Sequence, residues 1–147
     1  MEAVDRTRES SQPAGPLPRL DGCRMLLVDD EPNLLEVGER LLSLQGIRTL
    51  TASSGEEALE ILKSTRPLPD CVILDLNMPG MGGAGCLQQM TRSWPHLPVI
   101  VSTGYLETEK RSRLLAMGAF DCVEKPYRFE TILDMARRAL WVKQGSR

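Results

Sequence analysis

The sequence has few aromatic residues, one histidine and no excess of basic charge. Aromatic side chains make up 4% of the 147 residues, and 18 Lys and Arg face 20 Asp and Glu. A nucleic-acid-binding domain normally needs a basic face and stacking side chains, so direct contact with nucleic acid is not expected. Apolar runs fall short of the roughly 20 residues that cross a bilayer, and residues 1–20 lack the apolar centre of a signal peptide. We therefore expect no membrane contact and a cytoplasmic location.

Cysteine is also sparse and unpaired in its spacing. The four cysteines contain no Cys-x-x-Cys pair, and the single histidine, His96, lies between prolines. Neither a zinc site nor a disulfide scaffold is indicated. We expect four reduced thiols that pack as small apolar groups: Cys23, Cys71, Cys86 and Cys122.

The chain divides into a polar start and one domain. Residues 1–20 carry three prolines and no apolar period, which predicts a disordered tail or linker. Residues 21–147 suffice for one domain with a full core. Short apolar runs alternate there with helical spacing, which predicts an α/β fold around a parallel sheet. The predicted strands are Met25–Val28, Arg48–Ala52, Cys71–Leu74, Val99–Ser102 and Phe120–Val123.

Five helices are predicted between and after these strands. The first and last have apolar residues every three or four positions, Ser54 with Glu57 forms a capping box for the second, and residues 106–117 supply the fourth. Gly82, Gly83 and Gly85 crowd the start of the third helix, so it is expected to begin late and run to about Arg92. The charged residues 107–113 are interpreted as a solvated helix face.

Polar residues stand where the predicted strands end. Asp29, Asp30 and Glu31 follow the first strand, Asp75 the third, Thr103 the fourth, and Glu124 with Lys125 the fifth. Ligands of open parallel sheets bind at the carboxyl ends of the strands, so these side chains should meet. Clustered carboxylates need a cation, and hard oxygen ligands favour Mg²⁺, which usually also binds phosphate oxygens.

The same residues suggest phosphoryl chemistry. Lys125 could pair with one phosphoryl oxygen and Thr103 could donate a hydrogen bond to another. With no histidine or cysteine placed as a nucleophile, a carboxylate has to serve, and Asp75 stands alone at the end of a central strand.

Four segments resemble the receiver domain of two-component response regulators. They are LLVDDEP (26–32), VILDLNMPG (72–80), PVIVSTG (98–104) and GAFDCVEKPY (118–127), in the order and spacing of that family. The resemblance covers about Arg24 to Val142. It implies a flavodoxin-like, doubly wound five-stranded sheet in the order 2-1-3-4-5 with five helices.

The resemblance also implies a role for each site residue. Asp75 matches the phosphoacceptor, which takes a phosphoryl group from a histidine of a sensor kinase or phosphotransfer protein. Asp30 matches the direct Mg²⁺ ligand, Asp29 a ligand acting through water, and Asn77 the ligand that binds through its backbone carbonyl. Thr103 matches the switch hydroxyl and Lys125 the phosphate-pairing lysine, which is followed by a commonly cis proline.

Two positions depart from the family pattern. Receivers usually place Tyr or Phe three residues before the lysine, where this chain has Cys122, and an acidic residue is common where Gly85 stands. We expect switching to pass mainly through Thr103 and the loop of Gly104 and Tyr105, with Tyr105 as a candidate substitute aromatic.

Other interpretations compete with this one. A phosphohydrolase with an aspartyl nucleophile would need a general acid at Asn77, which asparagine cannot supply. A degenerate receiver used only for binding, and a dinucleotide loop at GMGGAG (80–85), fit the residues less well. We expect a monomer or weak homodimer that catalyses only its own phosphorylation and dephosphorylation. A stand-alone regulator and the C-terminal receiver of a hybrid kinase both fit.

Overall fold

The fold is an α/β sandwich around one parallel sheet. A computed structural model describes residues 18–145, and within them five strands pair in the order β2-β1-β3-β4-β5. The predicted fold class and strand order are confirmed. The strands are β1 Arg24–Val28, β2 Arg48–Ala52, β3 Cys71–Asp75, β4 Val99–Thr103 and β5 Asp121–Glu124. β5 lies one residue later than predicted, and β3 and β4 extend by one residue to include Asp75 and Thr103.

Five helices cover the sheet in the described part of the chain. They are α1 Pro32–Leu44, α2 Gly55–Ser64, α3 Gly82–Ser93, α4 Thr108–Ala116 and α5 Phe129–Gly145. The Ser54 half of the capping box is confirmed, since Ser54 Oγ accepts from the Glu57 N–H at 3.1 Å, while the Glu57 carboxylate accepts from the Ser53 N–H at 2.7 Å instead of from Ser54. No helix within residues 18–145 combines the length and apolarity needed to span a bilayer.

Alternate strand residues point to opposite faces and build two cores. Leu26 and Val28 pack under α2, α3 and α4, whereas Met25 and Leu27 pack under α1 and α5. Leu20, the last residue of the predicted tail, is 3% exposed and joins the second core, so packing begins one residue before the predicted domain boundary. Residues 1–17 of the predicted tail lie outside the described residues.

The predicted late start of α3 is wrong. The helix begins at Gly82, and Gly83 lies inside it where a Cβ atom would come within 2.3 Å of the Leu76 Cα. Only glycine allows the first turn to approach the end of β3 so closely. Gly83 therefore marks close packing against the loop after Asp75 rather than a delayed helix.

Candidate functional site

Strand register brings the predicted residues to one edge of the sheet. Val28 lies opposite Leu74, so Asp29 and Asp75 follow at the same level of neighbouring strands. Thr103 lies opposite Glu124, which places Lys125 directly beyond it. The site is thus assembled by parallel pairing of β1, β3, β4 and β5.

Three carboxylates form the acidic part of the site. Oxygen atoms of Asp29, Asp30 and Asp75 all lie within 4.8 Å of one another. The side chains of Asp29 and Asp75 are 2% exposed, while Asp30 is exposed to solvent. Negative charges held this close repel one another, so the cluster needs positive charge nearby to remain ionised. Three carboxylates are also a ligand set that suits a hard divalent cation.

Lys125 supplies one positive charge to this cluster. Its Nζ atom lies 3.0 Å from Asp29 Oδ2, 3.3 Å from Asp75 Oδ2 and 3.9 Å from Glu31 Oε1. Burial by itself lowers the pKa of Lys125, but the hydrogen bond and charge of Asp29 and the charge of Asp75 outweigh it and raise the pKa above its ordinary value. Lys125 is therefore a permanent cation. Its peptide bond to Pro126 is cis, as the resemblance implies.

Asp75 is held in a fixed orientation. Its Oδ1 atom accepts from the Asn77 backbone N–H at 3.1 Å, and its Oδ2 atom faces Lys125. Burial raises the pKa of Asp75, the Asn77 N–H lowers it, the charge of Asp29 raises it and Lys125 lowers it again, with a net rise. A second positive charge nearby would favour the ionised, nucleophilic form.

The side chain of Asn77 connects the acceptor loop to β4. Its Oδ1 atom accepts from the Gly104 N–H at 2.9 Å and lies 3.3 Å from Thr103 Oγ1. Thr103 itself is fully buried. The resemblance implies a role only for the Asn77 backbone carbonyl, so this side-chain contact is an addition.

Comparison with known proteins places the chain in one domain family. The family model for the response regulator receiver domain matches residues 25–137. The chain belongs to the response regulator receiver family. Solved receivers share its fold: one from Clostridium thermocellum superposes with a TM-score of 0.79 at 30% identity, covering 85% of this chain and 99% of that one. TrrA from Thermotoga maritima, solved in complex with Mg²⁺-BeF, gives a TM-score of 0.70 at 32% identity, covering 80% of this chain and 98% of that one.

Longer regulators contain a similar receiver. Regulatory protein AtoC of Escherichia coli strain K12 is 37% identical over 117 residues, which is 80% of this chain and 25% of AtoC. Response regulator protein FleR of Pseudomonas aeruginosa is 36% identical over 124 residues, which is 84% of this chain and 26% of FleR. The chain thus spans about a quarter of the length of these curated relatives.

This receiver has a buried thiol where an aromatic is usual. Cys122 is 1% exposed, and burial raises its pKa. Arg111 of α4 donates to the Cys122 carbonyl at 3.1 Å and forms an ion pair with Asp121. Tyr105 is 66% exposed. Arg111 thus links α4 to β5 by a hydrogen bond to a backbone carbonyl and by an ion pair.

Sequence reasoning missed Lys110, which belongs to the segment interpreted as a solvated face. Its Nζ atom donates to Thr103 Oγ1 at 2.9 Å and to the Tyr105 carbonyl at 3.1 Å. The sequence did contain one indication of this contact. A cation in the first turn of a helix opposes the helix dipole, so Lys110 at the start of α4 needs a compensating interaction. The interpretation of this segment as merely solvated is wrong at Lys110 and at Arg111, both of which are partly buried and bonded to neighbouring elements.

Proposed function

We propose that this receiver accepts a phosphoryl group on Asp75 with the help of Mg²⁺. The observation that carries the proposal is the placement of Asp75: a buried carboxylate with one oxygen fixed by the Asn77 N–H, the other beside Lys125, and two further carboxylates within 4.8 Å. The donor is a phosphohistidine of a sensor kinase or of a phosphotransfer protein.

The metal would be held by the acidic cluster. Asp30 and Asp75 would be the direct carboxylate ligands, the Asn77 backbone carbonyl would be a third protein ligand, and Asp29 would act through water. Held by these residues, Mg²⁺ would offset the charge that develops on the phosphoryl oxygens. The Mg²⁺-BeF complex of TrrA, a relative at 32% identity, supports this choice of metal.

The transfer is a displacement at phosphorus. Asp75 Oδ2 forms the new P–O bond while the P–N bond to the donor imidazole breaks, and the imidazole leaves with the electron pair. Lys125, now 3.3 Å from Asp75 Oδ2, exchanges this contact for a phosphoryl oxygen. Thr103 donates its hydroxyl hydrogen to another oxygen, which moves the end of β4 and the loop that follows.

The chain then catalyses only its own phosphorylation and dephosphorylation. A true phosphohydrolase needs a general acid beside its nucleophile. Position 77 is asparagine, and its side-chain oxygen accepts the Gly104 N–H, so it holds a loop in place instead. A degenerate receiver that only binds partners would not need the full set of acids, hydroxyl and lysine.

The partners of this chain are proteins. Some curated relatives are named DNA-binding transcriptional regulator NtrC. This chain has 18 basic against 20 acidic residues, so we place any contact of the whole protein with DNA outside it. It acts in the cytoplasm, without membrane contact, as a monomer or weak homodimer.

Intact-mass analysis tests the proposal. Acetyl phosphate with Mg²⁺ should add one phosphoryl group to the protein and none to Asp75→Asn. Asp134→Asn, which removes an exposed carboxylate on α5, is the matched control and should label like the wild type. Equal labelling of Asp75→Asn would refute the assignment, and many turnovers on a phosphate monoester would favour the hydrolase.

A further inference from the structure

Lys110 and Thr103 form a contact between α4 and the end of β4. The ammonium of Lys110 lies 2.9 Å from Thr103 Oγ1 and 3.1 Å from the Tyr105 carbonyl oxygen. Thr103 is fully buried and Lys110 is half-buried, so water does not readily replace this hydrogen bond. The contact joins the first turn of α4 to the switch hydroxyl.

The chemistry of the two groups determines the direction of this bond. An ammonium has donors only, so Thr103 Oγ1 must be the acceptor. The hydroxyl hydrogen of Thr103 then points to Asn77 Oδ1 at 3.3 Å or to the Tyr105 carbonyl at 3.4 Å. Thr103 is thus occupied both as acceptor and as donor before any phosphoryl group is present.

We propose that Lys110 is a positioning residue that restrains Thr103 in the unphosphorylated state. The proposal rests on the phosphoacceptor function argued above. When Thr103 donates to a phosphoryl oxygen on Asp75, its hydroxyl leaves the arrangement that Lys110 and Asn77 hold. The lost Lys110 contact is a cost of switching, so it sets how readily the receiver adopts its phosphorylated conformation.

The Lys110–Thr103 contact also couples the movement of Thr103 to the first turn of α4. Lys110 is the third residue of that helix, and its charge there opposes the helix dipole. Once Thr103 moves, the first turn of α4 loses the contact that offset this repulsion. The buried Cys122 lacks the size of an aromatic switch, so Lys110 provides a route from the site to α4 that does not depend on position 122.

Binding of Mg²⁺ and beryllofluoride, a phosphoryl mimic, provides the test. Calorimetry on the full chain should show that Lys110→Met raises the affinity for the mimic by about two- to tenfold. Arg113→Met is the control, because it removes the same charge from an exposed position of α4. Lys110→Arg, which keeps a donor, should stay close to the wild type.

Two further measurements separate positioning from general charge or stability effects. The methyl resonance of Thr103 in the protein without the mimic should shift in Lys110→Met and not in Arg113→Met. In a Thr103→Val background, Lys110→Met should have no more effect than Arg113→Met.

The outcomes distinguish this proposal from the function on which it rests. If the wild type binds the mimic while Lys110→Met behaves like Arg113→Met or binds more weakly, the restraint by Lys110 is refuted and the phosphoacceptor function stands. An effect that persists in Thr103→Val also refutes it. If the wild type does not bind the mimic, both proposals are wrong.

Discussion

Lys125 Nζ lies 3.0 Å from Asp29 Oδ2, so the residue that follows the last strand forms an ion pair with the residue that follows the first strand. The two residues are 96 positions apart in the chain. Because the side chain of Asp29 is 2% exposed, its charge is balanced mainly by this lysine. The ammonium and a metal ion therefore compete for the same acidic cluster.

Removal of that ammonium should strengthen metal binding. Lys125→Met takes away a charge 3.0–3.3 Å from Asp29 and Asp75 and should tighten Mg²⁺ by about two- to fivefold. The phosphorylated form should be impaired in the same variant, since its phosphoryl oxygens lose a partner. Isothermal titration with Mg²⁺ checks the first effect, and Lys63→Met on α2 is the control for loss of a positive charge. Weaker Mg²⁺ binding by Lys125→Met would contradict the competition between the ammonium and the metal.

The two aspartates after β1 should differ in their effect on the metal. Asp30→Asn should weaken Mg²⁺ more than Asp29→Asn, because Asp30 is the proposed direct ligand and Asp29 is already paired with Lys125. The same titration measures both variants. An equal loss in both would remove the distinction between a direct and a water-mediated ligand.

Alanine substitutions at Gly83 and Gly85 should change the free energy of unfolding in opposite directions. A Cβ on Gly83 would lie 2.3 Å from Leu76 Cα and 2.7 Å from the Asp75 carbonyl oxygen, so Gly83→Ala should cost about 2–4 kcal/mol of unfolding free energy. Gly85 has its nearest neighbour at 3.6 Å, and Gly85→Ala should gain about 0.5–1 kcal/mol. Urea unfolding measures both, and a neutral Gly83→Ala would contradict the close approach.

Cys71 should make stability depend on alkaline pH. Burial raises its pKa from 9.0 to about 12, so above pH 9 the unfolded chain loses a proton that the folded protein keeps. The unfolded state then binds fewer protons, and the unfolding free energy falls as pH rises, by up to ~1.4 kcal/mol per pH unit for one thiol.

Denaturation at several pH values between 8 and 11 would measure this slope. Cys71→Ala should reduce the slope without removing it, because burial also raises the pKa of Cys86, to about 11. Cys23→Ala, which removes a half-exposed thiol, should change the slope less. An unchanged slope in Cys71→Ala would show that other groups dominate.

Activation should be visible at α4 more than at Cys122. With Mg²⁺ and beryllofluoride, the largest amide shifts away from the acidic cluster should fall in residues 104–110, because Thr103 moves and Cys122 is a small group fixed within the core. NMR spectra with and without the mimic check this, and Asp75→Asn should show no such shifts. Changes concentrated at Cys122 with residues 104–110 silent would contradict it.

A parallel sheet was predictable because central parallel strands are apolar on both faces, whereas the order of its strands came from the resemblance to receiver domains. The convergence of Asp29, Asp75 and Lys125 followed from the rule that carboxyl strand ends share an edge. The start of α3 was not predictable, since helix propensity penalises glycine whereas backbone approach at Leu76 demands it. Tertiary packing outweighed local propensity there.

Side-chain contacts were the other feature that the sequence did not predict. Helical spacing shows which face Lys110 occupies, but it does not show that its flexible chain reaches Thr103. The hydrogen bond between the Asn77 side chain and the Gly104 N–H could not be predicted either, because it depends on how two loops pack against each other. The Lys110–Thr103 contact spans 7 residues of sequence and the Asn77–Gly104 contact spans 27, and helical or strand periodicity carries no information about either contact.

The position of the phosphoryl group is the most direct test of the account. After reaction with acetyl phosphate and Mg²⁺, borohydride reduces an aspartyl phosphate to homoserine, and peptide mass spectrometry locates the change. The account predicts homoserine at position 75 alone, and no change without Mg²⁺ or acetyl phosphate. Homoserine at position 29 or 30, or a borohydride-stable phosphate on Thr103, would contradict it.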